Sequence, residues 1–478
     1  MNHELKLHHL GPIDSCHLII DRFTVLTGPQ ASGKSTVAKA IYFFRTVKQD
    51  ILNIMMQGGP QAVSGKNSTT WQYVITQRLK DKFLQLFGSS WAMPNDMEML
   101  YTYKRSVSLR VFLQENPDDP SKNYINIEFS QEVLDYFSEL ELHSFSNITA
   151  DQIAQEETEL NKFLNDPLET VFIPAGRNLI TLLSAQLNYI FTSLENSQLR
   201  NIDYITKKYT ELILKVKPLF SHGVEGILQE IESDPLRANK YHKNRPAITL
   251  LLEAVSKVLG GNYYYTDNEE RLYLPNGRYV KINLASSGQQ EVVWVFNLLF
   301  YYLIEDKKIF LILEEPESHL YPASQEIMAQ VLSLMLDSGN SVLVTTHSPY
   351  ILGTFNYLLL AHQVPVKAQE TVKKKLRKRL WLSTEHTNAY YIHSGQIDSA
   401  TIMDEGIKLI QNKLIDGASD SINEMTDLFL STFYDKKVFR RIVYRTGSHK
   451  IRESKVVLWQ KKHGSSVQIK ARKLEENI

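Results

Sequence analysis

Cysteine is almost absent from this sequence, and Cys16 is the only one among 478 residues. A single thiol excludes an intramolecular disulfide and a metal site built from several thiolates, and it fits a reducing compartment. The N-terminal residues MNHELKLHHLG also lack the basic and then apolar segments of a secretory signal. We therefore expect a cytoplasmic protein.

Long apolar runs and an excess of charge are missing as well. The longest apolar stretch, Val292–Ile304, is well short of the roughly 20 residues that span a bilayer, so it predicts a buried helix and no membrane association. The 53 basic and 53 acidic residues give zero net charge, which excludes an overall field that attracts nucleic acid or anionic membranes. No internal repeat, long heptad run or low-complexity tract is present, so a long coiled-coil arm is not expected.

Hydrophobic periodicity divides the chain into recognisable elements. At 478 residues it is longer than most single cores, and two lobes are expected. Asn276-Gly277 predicts a hairpin turn between Arg271–Leu274 and Tyr279–Leu284. The other predicted elements are strands within residues 4–26 and at Ser106–Phe112 and Tyr124–Phe129, and helices at Val37–Phe44, Asp151–Asn165, Leu179–Ile190 and Ala247–Leu259.

A regular alternation follows the hairpin. We predict a helix at 289–303, a strand at 309–313, a helix at 323–337 and a strand at 341–345. This alternation is typical of parallel strands joined by helical crossovers.

A glycine-rich loop follows the strand Phe23–Leu26. Residues Gly28–Ser35, GPQASGKS, satisfy the pattern G-x-x-x-x-G-K-[ST] between a strand and a helix. Glycines let backbone N–H groups close around phosphate oxygens, and a helix N-terminus favours negative charge. Lys34 would reach the β- and γ-phosphates, and the Ser35 hydroxyl would ligate Mg²⁺. The residues predicted to bind the nucleotide here are Gly28, Pro29, Gln30, Ala31, Ser32, Gly33, Lys34, Ser35 and Thr36.

Paired carboxylates follow a second apolar strand in the segment Phe310–Glu317, FLILEEPE. Glu314 would hold Mg²⁺ through water, and Glu315 would orient or deprotonate the attacking water. Alone, the pattern also fits a strand that ends in a solvated acidic turn. Its position downstream of a phosphate loop favours the catalytic interpretation.

Two weaker motifs accompany these. Ser286, Ser287, Gly288 and Gln289 open the predicted apolar helix and form either an anion-binding helix start or an ordinary N-cap. His347 follows the strand at 341–345, where a lone histidine is either catalytic or structural.

The four motifs together resemble the ABC-type ATPase head of SMC proteins, RecF-like proteins and OLD-family ATPases. The chain is most similar to bacterial AAA-family ATPases grouped with OLD proteins, through Glu314–Pro322, EEPESHLYP, and the segment Phe172–Arg177. The resemblance implies that Ser286–Gln289 is the signature loop, that His347 is the switch histidine and catalytic with Glu315, and that Arg177 approaches the nucleotide. Glu314 and Ser287 depart from transporter-type motifs, which disfavours a transporter subunit.

The resemblance also implies a fold and its division. We expect an α/β P-loop NTPase of ABC-ATPase type, with a mixed sheet, flanking helices and a mainly helical inserted lobe. The predicted parts are residues 1–50 and 281–360 as the two halves of the ATPase head, 51–170 as a mixed insert, 171–280 as a helical lobe with the hairpin, and 361–478 as a basic C-terminal region.

The function implied is hydrolysis of ATP to ADP and phosphate with Mg²⁺, in a homodimer or higher oligomer formed through the heads. The setting implied is a bacterial anti-phage defence or DNA-maintenance system, with a protein effector partner (a nuclease or toxin) or DNA under control. Basic stretches at Lys367–Arg379 and Lys436–Lys473 would contact DNA or form solvated helix faces. No Asp-x-Asp of a TOPRIM nuclease domain follows His347. A nucleotide-dependent scaffold with little turnover and a nuclease with an unrecognised site remain alternatives.

Overall fold

The computed structural model describes residues 3–65, 69–115, 123–146, 148–182, 203–404 and 406–411, together with 425, 439–440 and 458–459. The chain divides into two compact units, residues 1–412 and residues 413–478. In the second unit, the described strands are a short antiparallel pair.

The strands are β1 (His3–Leu10), β2 (Ile13–Ile20), β3 (Phe23–Thr27), β4 (Glu98–Lys104), β5 (Val107–Glu115), β6 (Asn123–Phe129), β7 (Glu169–Ile173), β8 (Asn262–Thr266), β9 (Glu269–Tyr273), β10 (Tyr279–Lys281), β11 (Ile309–Glu314), β12 (Ser341–Thr346), β13 (Thr387–His393), β14 (Gln396–Ser399), β15 (Thr401–Asp404), β16 (Ile407–Ile410), β17 (Phe439–Arg440) and β18 (Leu458–Trp459). The helices are α1 (Lys34–Arg45), α2 (Val47–Met56), α3 (Pro60–Ser64), α4 (Trp71–Phe87), α5 (Gln131–Leu140), α6 (Ala150–Phe163), α7 (Tyr204–Val216), α8 (Gly223–Ser233), α9 (Pro235–Leu259), α10 (Ser287–Ile304), α11 (Pro322–Asp337), α12 (Pro349–Gln363) and α13 (Val366–Lys373).

The central sheet has six strands in the order β14-β13-β3-β12-β11-β7. Five of them are parallel, and β14 adds an antiparallel edge to β13. Every residue of β3, β11 and β12 is buried, as expected for strands covered by helices on both faces. The predicted α/β fold with a mixed sheet and flanking helices is confirmed, as are the parallel strands joined by helical crossovers.

A second, antiparallel sheet has the order β2-β1-β4-β5-β6. Its strands alternate buried and less buried residues, most regularly in β5, so one face packs on the core. That core is continuous with α1, α2 and α4. The strands predicted at Ser106–Phe112 and Tyr124–Phe129 correspond to β5 and β6.

The predicted hairpin needs two corrections. The strand predicted at Tyr279–Leu284 ends at Lys281 and continues as a 3-10 turn over Ile282–Leu284. A third strand, β8, pairs with β9 through Asp267 and Asn268, which have φ angles of 54° and 59°. These two left-handed residues form a tight turn like that predicted for Asn276-Gly277. Asp-Asn is a weaker hairpin pattern than Asn-Gly, so β8 was not predicted.

The most apolar segment forms α10, whose residues from Gln290 to Ile304 are almost all buried. The helix predicted at Ala247–Leu259 is the second half of α9, and that predicted at Asp151–Asn165 is α6. The helix predicted at Leu179–Ile190 lies outside the described residues beyond position 182. None of the helices in the described part of the chain has the length and apolar character needed to cross a membrane.

The strands β13 and β14 lie within the range predicted as a basic C-terminal region. β13 pairs with β3 in parallel, with Tyr391 opposite Thr27. This part of the chain therefore completes the sheet that carries the glycine-rich loop.

Candidate active site

Three neighbouring parallel strands end at one edge of the central sheet. Thr27 at the end of β3 lies opposite Thr346 at the end of β12, and Thr345 lies opposite Glu314 at the end of β11. The glycine-rich loop, the paired carboxylates and His347 lie at these three strand ends, so the sheet brings three of the sequence motifs together. In open α/β sheets this carboxyl edge is where ligands bind.

The glycine-rich loop needs its glycines for steric reasons. Gly28 has a φ angle of 143°, and a Cβ atom there would lie 2.1 Å from the carbonyl oxygen of Ile392. Gly33 has a φ angle of 103°, and its Cβ would lie 2.4 Å from a side-chain atom of Ile13. α1 then begins at Lys34 with no side-chain cap and no acidic residue in its first turn. No side-chain cap occupies the first N–H groups of α1, so they can bind an anion at the loop.

Lys34 places its ammonium inside this loop. Nζ donates to the carbonyl oxygens of Gly28 at 3.0 Å and Pro29 at 2.6 Å. Burial lowers the pKa of Lys34, and the carboxylates of Glu315, Glu317 and Glu314 oppose that shift. The cation and three acidic side chains are thus close enough to interact across the strand ends.

Glu314 and Ser35 form the candidate metal site. Glu314 is buried, and its Oε2 accepts a hydrogen bond from the Ala175 N–H at 3.2 Å. Burial raises its pKa, and the Ser35 side chain and the Ala175 N–H oppose the shift. Its buried Oε1 has no hydrogen-bond partner among the described residues. A free carboxylate oxygen beside a hydroxyl is an oxygen donor set that fits Mg²⁺.

Glu315 has an unusual backbone conformation for a residue other than glycine, with a φ angle of 42°. Its N–H donates to the Thr345 carbonyl at 2.9 Å, and its Oε2 accepts from the Ser318 hydroxyl at 3.1 Å. Left-handed residues cost about 1–3 kcal/mol and persist where the surrounding structure holds them. Here the strained backbone turns a half-buried carboxylate away from the strand direction.

Glu317 links the carboxylate segment to the histidine. Its Oε1 accepts from the Thr346 hydroxyl and from the His347 N–H, both at 2.8 Å, and lies 3.3 Å from His347 Nδ1. Burial raises the pKa of this carboxyl. The sequence motifs did not assign Glu317 a role, although it is the third glutamate of the EEPE segment. Its position shows that it positions His347, whose own side chain is exposed.

Arg177 makes contacts that the resemblance did not suggest. It is 1% exposed and donates to the carbonyl oxygens of Glu314 at 2.6 Å and Glu315 at 3.0 Å. Its Nε lies 3.1 Å from a carboxylate oxygen of Glu291, in the first turns of α10. These contacts direct the guanidinium at protein groups of the candidate site, and the approach of Arg177 to the nucleotide stays a prediction. Arg177 ties α10 to the backbone of the two glutamates.

Ser286–Gln289 lies at the start of α10. The Ser286 hydroxyl accepts from the Gln289 N–H at 3.3 Å, and Gln289 Oε1 accepts from the Ser286 N–H at 3.0 Å. The two residues thus form a capping box, so the ordinary N-cap interpretation holds within one chain. Their described hydrogen bonds go to each other and to neighbouring backbone, not to the phosphate loop. Gly288 packs so closely that a Cβ would lie 2.7 Å from the His319 carbonyl oxygen.

Large exposed apolar side chains lie on or close in sequence to the segments that meet at this helix start. Leu284 is 74% exposed and Tyr321 is 76% exposed, one on each of the two segments that meet at Gly288. Tyr350 follows Ser348, whose hydroxyl donates to Gln325 in α11 at 2.6 Å. Exposed apolar groups that cluster beside a polar site are typical of an interaction surface.

The protein-family model described as AAA ATPase domain matches residues 1–352. No curated protein matches the chain. Solved structures that are similar include an SMC head bound to the C-terminal winged-helix domain of ScpA, at 12% identity over 86% of this chain and 98% of that chain, with a TM-score of 0.37. An SMC head from Pyrococcus furiosus with an extended coiled coil bound to ScpA has 13% identity, 88% and 98% coverage and a TM-score of 0.35. The SMC head from Thermotoga maritima has 12% identity, 86% and 97% coverage and a TM-score of 0.32. At TM-scores below 0.5 these likenesses carry no functional weight.

Proposed function

We propose that this chain, which belongs to the AAA ATPase domain family, binds ATP with Mg²⁺ and hydrolyses it as a dimer. The observation that supports this proposal is the carboxyl edge of the central sheet. The glycine-rich loop with Lys34 follows β3, and the buried carboxylate of Glu314 and the half-buried carboxylate of Glu315 lie at the end of β11, with β12 between these two strands. A cation and a hydroxyl on one side and acids on the other fit a triphosphate with a divalent metal.

Each residue has a distinct part in the proposed reaction. The N–H groups of residues 28–36 and Lys34 bind the phosphates, and Ser35 and Glu314 would hold the metal. Bound Mg²⁺ would neutralise phosphate charge. Glu315 accepts a proton from the attacking water, and His347, positioned by Glu317, donates a hydrogen bond to the γ-phosphate. Arg177 keeps the backbone of Glu314 and Glu315 in place.

The dimer in the proposal follows from the position of Ser286–Gln289. This loop caps its own helix and makes no described contact with the phosphate loop of its own chain. The N-terminus of an 18-residue helix carries positive partial charge and favours an anion. We propose that it faces the γ-phosphate bound by a second copy, with Leu284, Tyr321 and Tyr350 in the interface. The sites would then close only when two heads meet around ATP.

In the cell, we propose that this dimer is a switch in a bacterial anti-phage defence or DNA-maintenance system. The motifs shared with OLD-like ATPases support this setting. The closed dimer would control a protein effector, such as a nuclease or toxin, or would control DNA. Cytoplasmic localisation fits the reduced Cys16. A scaffold that binds ATP with little turnover is the competing function, and steady-state hydrolysis with and without duplex DNA distinguishes the two.

The composite site is tested by Ser286→Arg, which places a large cation at the start of α10. ATP binding to the monomer should be nearly intact, while dimer closure and hydrolysis should be lost. Mixing this variant with Lys34→Ala gives mixed dimers with one doubly defective site and one intact site, so part of the activity should return. No recovery in mixed dimers shown to form would exclude independently acting composite sites. Full activity of Ser286→Arg alone would leave the loop as a simple helix cap.

A further inference from the structure

A cluster of three potential metal ligands lies outside the nucleotide site. His8, His9 and Asp96 each offer a ligand atom, and these atoms all lie within 4.8 Å of one another. Asp96 Oδ1 is 2.8 Å from His9 Nδ1, and Asp96 Oδ2 is 3.4 Å from His8 Nε2. Both imidazoles thus face the same carboxylate.

The backbone brings these two imidazoles to one side. Consecutive residues of a strand normally point to opposite faces of the sheet. His9 has a φ angle of 46°, in the left-handed region, and the alternation of β1 breaks at this residue. As a result the rings of His8 and His9 lie with their centroids 3.9 Å apart and tilted by 30°. This arrangement needs a local strain that a simple exposed histidine would not require.

We propose that His8, His9 and Asp96 bind a divalent transition-metal ion of the Zn²⁺ class. Two imidazole nitrogens and one carboxylate oxygen are ligands that Zn²⁺ prefers, with the fourth position open to water. Ligand atoms at the usual zinc distances in a tetrahedral site are about 3.3 Å apart. The three ligand atoms here lie within 4.8 Å of one another, so small adjustments of the side chains would bring them to one ion. Mg²⁺ is excluded as the preferred ion because it favours oxygen ligands.

Other exposed histidines show why this cluster differs from an ordinary ion pair. His17 pairs with Glu4 at 2.6 Å, but the third group there is the ammonium of Lys6, 3.1 Å from the same carboxylate oxygen. A cation in that position repels a metal. His143 and His393 each meet one carboxylate, of Glu156 and Asp398. In the described part of the chain, only the cluster at His8 gathers three ligand-type groups.

The test is zinc binding by the full-length chain after treatment with a chelator and removal of nucleotide. Zn²⁺ is titrated in competition with a chromogenic chelator, and Co²⁺ is used in parallel because its visible absorption reports nitrogen and oxygen coordination. Asp96→Asn keeps the size of the side chain, and His9→Asn tolerates the left-handed backbone. Each variant should bind one fewer equivalent of Zn²⁺ tightly than the wild type. The affinity of this site for Zn²⁺ should fall at least about tenfold, which corresponds to about 1.4 kcal/mol.

His17→Asn is the matched control, because it removes an imidazole from the same sheet next to another carboxylate. It should retain the wild-type stoichiometry and affinity. Unchanged zinc affinity in Asp96→Asn and His9→Asn, or absence of a stoichiometric site in the wild type, would overturn the proposal. Circular dichroism of each variant shows that a loss of metal reflects the ligands and not the fold. None of these readouts depends on ATP hydrolysis.

Discussion

Two regions of the chain differ in how far their own residues interact with one another. We call the first the phosphate edge, which consists of residues 28–36, Glu314, Glu315, Glu317 and His347. The second is the start of α10, Ser286–Gln289. At the phosphate edge, Lys34, Glu314 and Glu317 are buried and interact across three strand ends. At the start of α10, Ser286 and Ser287 are exposed, and the polar groups satisfy one another in a capping box. One region is organised before any ligand arrives, and the other is stable yet has an unused anion-binding end.

Under the proposed function, this difference would let a single head bind a nucleotide without turning it over. Buried, preorganised charges favour phosphate and metal binding by the single head. In the proposed dimer, the helix start would add its dipole to a nucleotide held by the other copy. Arg177 joins the two regions, because its guanidinium contacts Glu291 in α10 and the carbonyls of Glu314 and Glu315.

The substitution with the largest expected effect removes the catalytic step at the phosphate edge and leaves ATP binding in place. Glu315→Gln should lower kcat about 10²- to 10⁴-fold, because an amide cannot accept the proton of the attacking water. ATP affinity should stay near wild type, so an ATP-bound dimer should accumulate in light scattering. Glu128→Gln, a change at an exposed position of β6, is the control. Wild-type turnover in Glu315→Gln would move the role of base to Glu314 or Glu317.

The next effect breaks binding at the same edge. Lys34→Ala removes the cation inside the loop, and we expect at least about a 100-fold weaker affinity for ATP. Calorimetry measures this directly, with exposed Lys6→Ala as the control. Near-normal affinity in Lys34→Ala would remove the phosphate-loop assignment.

A smaller effect should come from the link between the regions. Arg177→Lys cannot contact both carbonyls and Glu291 with a planar fork, so stability should fall by about 3 kcal/mol. If Arg177 positions Glu315, kcat should also fall while the KM for ATP changes little. Arg110→Lys, an exposed arginine between Glu98 and Glu128, is the matched control. A stability loss with unchanged kcat would make Arg177 a purely structural residue.

The smallest effect tests a buried polar group outside both regions. Burial, with Arg45 nearby, lowers the pKa of His3 to about 4, so the folded state holds this imidazole neutral. Between pH 6.5 and 4 the unfolded chain binds the extra proton, and stability is lost as pH falls through that window. This group should contribute a loss of about 2 kcal/mol between pH 8 and 5. Urea denaturation of His3→Gln should show a correspondingly weaker pH dependence, with unaltered ATP kinetics at pH 8.

Much of this site can be predicted from the sequence, because its motifs directly follow the strands that position them. GPQASGKS directly follows β3 and opens α1, and EEPE directly follows β11. Local pattern did not reveal Glu317 as the partner of His347, since their hydrogen bond joins two strand ends that are 30 residues apart. It also did not reveal the contacts of Arg177, because nothing in FIPAGR shows which carbonyls surround the side chain. β13 was not expected beside β3, because strand pairing depends on distant segments.

The sequence by itself determined the elements and the chemical groups. Period-2 and period-3.6 patterns fix which faces are buried, and glycine with lysine at set spacing needs no distant partner to indicate a phosphate loop. Only the tertiary structure decided which groups meet. It brought Glu314 close to Ser35, left Glu314 Oε1 without a hydrogen-bond partner among the described residues, and directed Arg177 at the Glu314 carbonyl. The physical reason is that burial and hydrogen bonding of a side chain depend on neighbours that the fold, not the local sequence, brings within about 3 Å.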